Sequence, residues 1–328
     1  MKAWQCSQPL GVESLVWASK QKTDPRTDEI QVEIHAASLN FPDFLIVSNK
    51  YQVKPDLPFT PGMEFSGVVA STGKNVPSHI RPGQKVACIA SSSTGGFATS
   101  ANVPLEDCIF LPENFDLLHA AAMFLTYGTA YHALIDRGYI DNSKNILILG
   151  AAGGVGTAAI HLAKLQDAFV VAAVSTEDKR DYCLQQGADV AINYAEGDFR
   201  DKLKETTPTT GFDLIVDSVG GNFSETAFRS IAWGGHHLVI GFAAGDIPSM
   251  PLNLPLVKGA SIVGVYWGAF ATKFPKANAR NNQAIIQLYQ ERGLRPYIQE
   301  VLPLKDLKLA FARLLERKVK GKLVLSTI

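Results

Sequence analysis

The sequence predicts an α/β protein that combines a doubly wound parallel sheet with a second domain rich in β-strands. The chain has 328 residues, which is long enough for two separate cores. Roughly the first 120 residues are rich in β-branched and turn residues, with Pro-Gly pairs at Pro61-Gly62 and Pro82-Gly83 between short apolar runs. From about Leu118 the pattern changes to a helix and then to strands that alternate with helices, as crossover connections in a parallel sheet require.

Short apolar runs mark the strands of the parallel sheet, and helical patterns fill the gaps between them. The expected strands are residues 145–149, 169–174, 190–193, 214–217, 237–240 and 261–265. The expected helices are residues 156–165, 179–187, 199–205, 223–231 and 255–258. After residue 268 we expect the chain to return to the β-rich domain. The expected domains are therefore residues 1–121 together with 268–328, and residues 122–267.

A glycine-rich turn joins the first of these strands to the first helix. Gly153 would let the backbone approach a phosphate, and Gly156 would let the helix pack on the strand. The helix N-terminus adds unpaired N–H groups and a positive dipole end, which suit a pyrophosphate. A purely structural turn is the alternative. The cofactor-binding residues expected here, in a Rossmann-type site, are Ala151, Gly153, Gly154, Val155 and Gly156.

The end of the second strand should select the cofactor. An NAD enzyme carries an acid about 20 residues past the glycines, where it binds the ribose 2′-OH. Ser175 stands there instead and brings no negative charge to repel a 2′-phosphate, while Lys179 and Arg180 supply cations. We therefore expect NADPH rather than NADH. The alternative is a solvated first helical turn in which Glu177 or Asp178 contacts a ribose.

Charge and hydropathy exclude several classes of partner. The chain has 31 basic and 31 acidic residues and no basic block, so we expect neither nucleic acid nor anionic lipid as a main partner. No apolar run approaches the roughly 20 residues that span a bilayer, and the N-terminus has no signal-peptide core. A cytoplasmic protein that does not bind membranes is expected.

Four cysteines occur, and no two of them form a C-x-x-C pair: Cys6, Cys88, Cys108 and Cys183. Their strand-like and helical contexts predict buried thiols. A zinc knuckle needs clustered ligands, and the sequence has none.

Several short motifs follow one another along the chain. They are N-F-P-D at 40–43, P-F-T-P-G-M-E-F-S-G at 58–67, G-G-F-A at 95–98, Y-G-T-A-Y at 127–131, the glycine turn at 151–156 and G-K-L-V-L at 321–325. In this order they resemble the zinc-free quinone oxidoreductase (zeta-crystallin-like) branch of the medium-chain dehydrogenase/reductase superfamily. The resemblance implies a GroES-like catalytic domain, a Rossmann domain, NADPH as cofactor and the reduction of quinones or other conjugated carbonyl compounds.

Two substitutions separate this chain from the zinc alcohol dehydrogenases of that superfamily. Those enzymes place a cysteine where Asn40 stands and a histidine where Met63 stands, next to a glutamate that Glu64 matches. Asparagine and methionine are poor ligands for Zn²⁺. The lobe with four close cysteines is replaced by residues 91–96, which contain none. We therefore expect no metal, and no Lewis acid to polarise an alcohol or a ketone.

The resemblance also implies further cofactor contacts. Asn40 would lie by the nicotinamide ribose or carboxamide, and Thr129 would contact the nicotinamide side. Ser175, Lys179 and Tyr194 would surround the adenosine 2′-phosphate. From the strand order we add Gly241 and Phe242, which follow strand 237–240 at the carboxyl edge of the sheet, where the nicotinamide should lie.

Three residues are candidates for a catalytic role by the same resemblance: Asn40, Asp43 and Tyr51. Tyr51 matches a tyrosine that lines the substrate pocket, where it would stack on a quinone, donate a hydrogen bond or simply form the wall. Asp43 would either take part in the reaction or fix its loop. No side chain is required as a general acid, so the proton comes from solvent or through Tyr51.

Alternatives of the same fold stay open. An enoyl-thioester or enone (alkenal) reductase would want a basic patch, which Lys50, Lys54, Lys273 and Lys276 would supply. A non-catalytic NADPH-binding protein or sensor would bind the cofactor without turnover. The apolar run 261–267 reads as an exposed edge strand, so a homodimer through that strand is expected.

Overall fold

The computed structural model describes residues 1–92, 94–195 and 198–327. The chain divides into two compact units. One unit is formed by Met1–Leu125 together with the chain from Ile298 onwards, and the other by Thr126–Tyr297.

Strands and helices alternate along the chain in the expected manner. The strands are β1 (Lys2–Cys6), β2 (Leu15–Ser19), β3 (Glu29–Ser38), β4 (Glu64–Thr72), β5 (Lys85–Ile89), β6 (Ser100–Pro104), β7 (Cys108–Phe110), β8 (Asn145–Leu149), β9 (Phe169–Val174), β10 (Val190–Asn193), β11 (Phe212–Asp217), β12 (Ile231–Val239), β13 (Ser261–Gly264), β14 (Ile298–Pro303) and β15 (Lys322–Ser326). The helices are α1 (Phe41–Val47), α2 (Leu117–Ala121), α3 (Phe124–Tyr131), α4 (Gly154–Lys164), α5 (Glu177–Gln185), α6 (Phe199–Thr206), α7 (Asn222–Phe228), α8 (Asn253–Lys258), α9 (Trp267–Lys273), α10 (Pro275–Glu291) and α11 (Leu307–Leu315).

A six-stranded parallel sheet forms the centre of the second unit, in the order β10-β9-β8-β11-β12-β13. Counted along the chain from β8, this is the order 3-2-1-4-5-6 of a dinucleotide-binding sheet. The residues of β8 from Ile146 to Leu149 are fully buried, because helices cover both faces of such a sheet. The predicted fold class is confirmed. The carboxyl ends of β8 and β11, where the strand order reverses, form the crevice in which such sheets bind ligands.

The first unit is built on a largely antiparallel sheet. Its strands run in the order β14-β15-β3-β4-β5-β7, β6 also pairs with β3, and β1 and β2 form a separate hairpin. Only β14 and β15 pair in parallel within this sheet. Aromatic rings fill the core below it, and Phe97 meets Phe311 edge to face with centroids 6.3 Å apart. Burying each of these rings contributes about 1.5–3 kcal/mol.

The division between the units differs from the expected boundaries. The second unit begins at Thr126 rather than at 122, and residues 268–297 belong to it rather than to the β-rich unit. The reason lies in the π-helical turn His132–Arg137 that follows α3. The ring of Phe270 in α9 stacks on His132 at 3.9 Å, and Asn281 Nδ2 in α10 donates to Asp136 Oδ2 at 2.7 Å. These contacts hold α9 and α10 on the second unit.

Some element boundaries also differ from prediction. The helix expected at 223–231 ends at Phe228, because Ile231 already pairs with Phe212 as the first residue of β12. The edge strand expected at 261–267 ends at Gly264, and Trp267 is buried at the start of α9, where its Nε1 donates to Asn278 Oδ1 at 3.1 Å. Among the residues that the structure describes, no helix has both the length and the apolar character needed to cross a bilayer.

Candidate cofactor and substrate sites

The glycine turn after β8 is held against the neighbouring strand. Gly150 has a φ of 68°, a left-handed conformation that favours glycine. The backbone N–H groups of Gly150 and Ala151 both donate to the carbonyl oxygen of Ala173 in β9, at 3.0 and 3.3 Å. Gly153 is the N-cap of α4, with φ −77° and ψ 173°. The turn therefore delivers the start of α4 directly above the carboxyl end of β8.

The two motif glycines meet different surroundings. A Cβ atom on Gly156 would lie 2.5 Å from Gly150 O and 2.6 Å from Ala151 Cα, so only glycine lets the helix approach the turn this closely. A Cβ atom on Gly153 would meet only Gly150 O, at 3.5 Å. The exposed Gly153 thus leaves open space in front of the first turn of α4. Gly154 and Val155 lie in that turn, whose N–H groups lack intrahelical acceptors. The arrangement fits a pyrophosphate.

Residues expected around the 2′-phosphate come together at the carboxyl ends of β9 and β10. The N–H of Tyr194 donates to Val174 O at 2.8 Å, which brings Tyr194 beside the strand end that Ser175 follows. Thr176 caps α5 by accepting the N–H of Lys179 at 3.3 Å. The ring of Tyr194 packs on Phe223, with centroids 4.4 Å apart. Ser175, Lys179 and Tyr194 therefore border one edge of the sheet.

Arg180, the second cation expected there, faces acidic neighbours. Its guanidinium lies 2.5 Å from Glu177 Oε2 and 3.1 Å from Asp181 Oδ1. Glu177 Oε1 also accepts from Asn193 Nδ2 at 3.1 Å. The guanidinium of Arg180 is therefore engaged by two carboxylates, and Glu177 binds partners at the sheet edge and in α5.

The carboxyl ends of β11 and β12 carry an anchored turn that sequence reasoning missed. Asp217 Oδ1 accepts the N–H groups of Val219 and Gly220, both at 2.9 Å, and Oδ2 accepts from Ser224 Oγ and His237 Nε2 at 2.5 and 3.0 Å. Burial by itself would raise the pKa of Asp217, but these hydrogen bonds hold it below its ordinary value. An aspartate that ends a buried strand and precedes S-V-G was the available signal.

This turn supports the residues expected near the nicotinamide. A Cβ atom on Gly220 would lie 2.8 Å from the ring of Phe242, and the N–H of Gly241 donates to Asp217 O at 3.4 Å. Ser218 Oγ donates to Leu149 O at 3.1 Å, directly before the glycine turn. Gly241 and Phe242 therefore lie at the same edge of the sheet as the glycine turn. Thr129, also in the second unit, is buried in α3.

A buried carboxylate, that of Glu64, lies at the centre of a hydrogen-bonded network in the first unit. Oε2 accepts from Ser38 Oγ at 2.6 Å and from Asn40 Nδ2 at 3.1 Å, and Oε1 accepts the N–H of Leu125 at 2.8 Å. Lys322 Nζ lies 3.2 Å from Oε2, and both side chains are withdrawn from solvent. Glu64 and Lys322 form a buried ion pair, and each of their polar atoms has a hydrogen-bond partner.

Lys322 also fixes the orientation of Asn40. Its ammonium donates to Asn40 Oδ1 at 2.5 Å and to Leu39 O at 3.3 Å. The amide of Asn40 thus turns its oxygen to the cation and its nitrogen to the carboxylate. The motif at 321–325 includes Lys322 without indicating a role for it; a lysine at the start of a mostly apolar strand was the available signal.

Asp43 is fully buried one helical turn further on. Its Oδ2 accepts the N–H of Asn40 at 2.8 Å, and its Oδ1 accepts the N–H of Met63 at 3.1 Å. Burial raises the pKa of Asp43 to about 7, against the opposing effect of these hydrogen bonds and of the Lys322 charge. The carboxyl joins the start of α1 to the start of β4. Tyr51 is half-buried after α1 and packs on the core of the first unit.

Comparison with known proteins agrees with this architecture. Residues 154–282 match the family model of the zinc-binding dehydrogenases, and residues 26–113 match that of the alcohol dehydrogenase GroES-like domain. Quinone oxidoreductase-like protein 2 of Mus musculus is 35% identical over 323 residues, covering 98% of this chain and 90% of its own. The quinone oxidoreductase of Sus scrofa is 30% identical over 303 residues, covering 92% and 90%.

The chain belongs to the quinone oxidoreductase branch of the medium-chain dehydrogenase/reductase superfamily. The resemblance seen in the motifs is thereby confirmed. Among solved structures, the quinone oxidoreductase of Escherichia coli in complex with NADPH superposes on this member of the family with a TM-score of 0.91 and 28% identity, covering 99% of this chain and 100% of its own.

Because the matched dehydrogenase family is described as zinc-binding, the residues of the first unit bear on whether zinc could bind here. Asn40, Met63 and Glu64 offer an amide, a thioether and one carboxylate, and zinc sites in proteins are made of thiolate, imidazole and carboxylate. The ammonium of Lys322 already lies against both Asn40 and Glu64. In the described ranges, no group of three or more His, Cys, Asp or Glu side chains is arranged to hold a metal ion. This donor set does not fit Zn²⁺.

Proposed function

We propose that this protein is an NADPH-dependent, zinc-independent quinone oxidoreductase that reduces quinones or other conjugated carbonyl compounds. The observation that carries the proposal is the position of Lys322 Nζ, 3.2 Å from Glu64 Oε2 and 2.5 Å from Asn40 Oδ1. A cation fixed on the chain compensates the charge of Glu64, and no metal is needed for that purpose.

The donor set of the first unit, which does not fit Zn²⁺, restricts the class of acceptor. An alcohol or simple ketone needs a metal or a strong proton donor to stabilise the charge that develops on one oxygen. A quinone or an enone spreads that charge through conjugation. The donor set of Asn40, Met63 and Glu64 therefore favours conjugated acceptors over alcohols.

The second unit provides residues for the cofactor. Gly153, Gly154, Val155 and Gly156 would hold the pyrophosphate at the start of α4, with Ala151 in the turn before them. Ser175, Lys179 and Tyr194 would hold the 2′-phosphate, and Gly241, Phe242 and Thr129 would border the nicotinamide. The NADPH complex of the Escherichia coli relative supports the choice of this cofactor.

NADPH, when bound, supplies the hydride. The protein positions its two reactants and excludes water from them. Asn40 contributes a preorganised amide, because Lys322 and Glu64 fix both of its polar atoms. Asn40 and Tyr51 would contact the cofactor or the acceptor. The proton would come from solvent or through Tyr51. Asp43 acts as a positioning residue, since both of its oxygens accept backbone N–H groups.

The direct test follows NADPH consumption by the loss of nicotinamide absorbance. Quinones, enones and enoyl-CoA thioesters are offered as acceptors, NADH replaces NADPH in a parallel series, and each reaction is repeated after dialysis against a chelator. We expect turnover with quinones or enones, a preference for NADPH and no effect of the chelator. Turnover restricted to enoyl-CoA would favour the thioester reductase, and binding without any turnover would favour a sensor or binding protein.

Edge strand β13 supports a homodimer. It is the last strand of the parallel sheet and pairs only with β12 among the described strands. Ile262 in this strand and the nearby Tyr266 are exposed apolar side chains, as are Leu252 and Leu256 of the preceding segment. Strand edges with such neighbours tend to pair with another chain. A second copy related by a two-fold axis would cover both the edge and the apolar side chains.

A further inference from the structure

Two of the four cysteines face each other across neighbouring strands of the first unit. Cys88 in β5 and Cys108 in β7 are direct partners in the antiparallel register, with Ala87 opposite Ile109 and Val86 opposite Phe110. Side chains at directly opposed positions point to the same face of a sheet. The thiol of Cys108 donates to Pro104 O at 3.3 Å.

The hydrogen-bond pattern shows which kind of pair this is. The N–H of Leu111 donates to Lys85 O at 3.0 Å, so residues 85 and 111 form a hydrogen-bonded pair. Because the two kinds of pair alternate along an antiparallel ladder, the opposed residues 88 and 108 form a non-hydrogen-bonded pair, with Cα atoms about 4.5 Å apart. A disulfide requires a Cα separation of about 4.4–6.8 Å. The backbone separation of Cys88 and Cys108 already meets that requirement.

We propose that Cys88 and Cys108 are a redox-active dithiol site that hydrogen peroxide converts to a cross-strand disulfide. Cys108 is the point of entry, because it is partly exposed whereas Cys88 is fully buried. Burial raises the pKa of the Cys88 thiol well above its ordinary value. Cys88 is therefore the resolving thiol. The dithiol site shares no residue with those proposed to hold NADPH.

The chemistry balances with the peroxide as the oxidant. The Cys108 thiolate attacks one peroxide oxygen, so an S–O bond forms, the O–O bond breaks and hydroxide leaves to take up the proton released by Cys108. The Cys88 sulfur then attacks the Cys108 sulfur, an S–S bond forms, the S–O bond breaks, and the proton of Cys88 leaves with that oxygen as water. Two thiols lose two electrons and two protons, and the peroxide is reduced to two molecules of water.

The other cysteines lack this arrangement. Cys6 in β1 stands opposite Leu15, and Cys183 lies on α5, where it is buried. Strand β7 has only three residues and forms the edge of the sheet, so neighbouring strands constrain its position on one side only. Cys6 and Cys183 therefore serve as internal controls in the same molecule.

The experiment uses the full chain. The protein is treated with hydrogen peroxide, unfolded in the presence of iodoacetamide without reductant, digested and examined by mass spectrometry. We expect a peptide pair linked through Cys88 and Cys108, lighter by two hydrogen atoms than the reduced pair, while Cys6 and Cys183 are alkylated as before. Recovery of both Cys88 and Cys108 in alkylated form, or conversion of Cys108 to a sulfinic acid with Cys88 still alkylated, would overturn the proposal.

A variant separates the two steps. In Cys88→Ser the sulfenic acid on Cys108 has no resolving thiol, so it should accumulate and be trapped by a 1,3-dione such as dimedone. The wild type should show little trapping, because Cys88 consumes the sulfenic acid. Equal trapping in the two proteins would contradict the assignment of Cys88. Should the variant fail to fold, the linked peptide in the wild type decides the question alone.

Discussion

Lys322 Nζ and Glu64 Oε2 lie 3.2 Å apart, although 258 positions separate the two residues in the chain. The pair is buried, and it is connected to Asn40 and Ser38 by hydrogen bonds. A buried ion pair is retained in a fold only when its partners are well placed, because both charges have lost their hydration. The position of Asn40 therefore depends on two residues from opposite parts of the sequence.

Removing the cation should be costly. Lys322→Met keeps the length of the side chain but leaves the Glu64 carboxylate unpaired, and we expect the folded state to lose about 3–5 kcal/mol. The double variant Lys322→Met with Glu64→Gln should recover a large part of that loss. The midpoint of urea unfolding measures the loss in the single variant and the recovery in the double variant. Lys318→Met is the matched control, because Lys318 is exposed, and it should hardly change the midpoint. An equal fall in the unfolding midpoint of Lys322→Met and Lys318→Met would refute the role assigned to the ion pair.

The two motif glycines should separate stability from binding. Gly156→Ala places a methyl group against the backbone of Gly150 and Ala151. We expect the free energy of unfolding to fall by about 1–3 kcal/mol and NADPH binding to be lost. Gly153→Val meets only Gly150 O beside the turn, so it should lower stability less than Gly156→Ala while abolishing NADPH binding. Fluorescence titration measures the NADPH affinity of each variant, and thermal unfolding measures its stability. NADPH affinity that survives in Gly153→Val would contradict the pyrophosphate assignment.

A carboxylate at the end of β9 should reverse the cofactor preference. Ser175→Asp places a negative charge where the 2′-phosphate is expected, and we predict that kcat/KM for NADPH falls at least about tenfold, equivalent to about 1.4 kcal/mol. The value for NADH should stay level or rise. A parallel fall for both cofactors would indicate a damaged fold instead of altered selectivity.

The two basic residues of α5 should differ in their effect on the cofactor. Lys179→Ala should raise KM for NADPH and not for NADH. Arg180→Ala should have a smaller effect, because Glu177 and Asp181 already face the guanidinium. Steady-state kinetics with both cofactors compare the variants. A larger effect at Arg180 than at Lys179 would reverse the assignment.

Asp43 should impose a pH dependence on stability. Its pKa is raised from 3.8 to about 7 in the folded protein. The stability that its protonated form contributes is fully present below pH 3.8 and is lost as the pH rises through about 7. Asp43→Asn cannot titrate, so the stability of the wild type relative to this variant should fall as the pH rises from about 4 to about 7. Urea unfolding of both proteins at several pH values gives the difference in their free energies of unfolding. Parallel curves for the two proteins would argue against the raised pKa.

The edge of the parallel sheet offers a test of oligomeric state. Ile262→Asp puts a charge on the exposed face of β13 and should dissociate the proposed homodimer. Light scattering after size-exclusion chromatography gives the mass in solution. Leu10→Asp, which changes an exposed leucine far from β13 in the sequence, is the control and should not alter that mass. A wild-type protein that is monomeric at all concentrations would end the dimer proposal.

The strands of the second unit were largely readable from the sequence. Strands β9 and β10 have the predicted bounds, and β9 is a continuous apolar run, as expected of a strand buried on both faces. The start of β12 was missed, because Trp233-Gly234-Gly235 interrupts its pattern. The role of Lys322 was missed for a different reason. Its partners Glu64 and Asn40 are remote in sequence, and no local periodicity connects them.

The candidate site residues stay predictions, although the structure brings several of them together. Ser175 and Tyr194 come close because β9 and β10 are neighbours in register, which strand order determines and local sequence does not. The role of Asp217 was not predicted, because it depends on the four groups that donate hydrogen bonds to its carboxylate. Such convergence becomes visible only once the chain is folded.

Strand β15 lies between β14 and β3, and its residues Val324, Leu325 and Ser326 pair with Ser38, Ala37 and Ala36. The sheet of the first unit is therefore completed by a segment that the ribosome makes only after the whole of the second unit. A nascent chain that has just passed residue 125 would expose an unpaired edge of β3 and an uncompensated Glu64. During synthesis the second unit can finish folding first, and the first unit must wait for Lys322. Excising residues 1–125 as an independent domain should accordingly give an insoluble product, whereas joining them to the segment from 298 onwards should not.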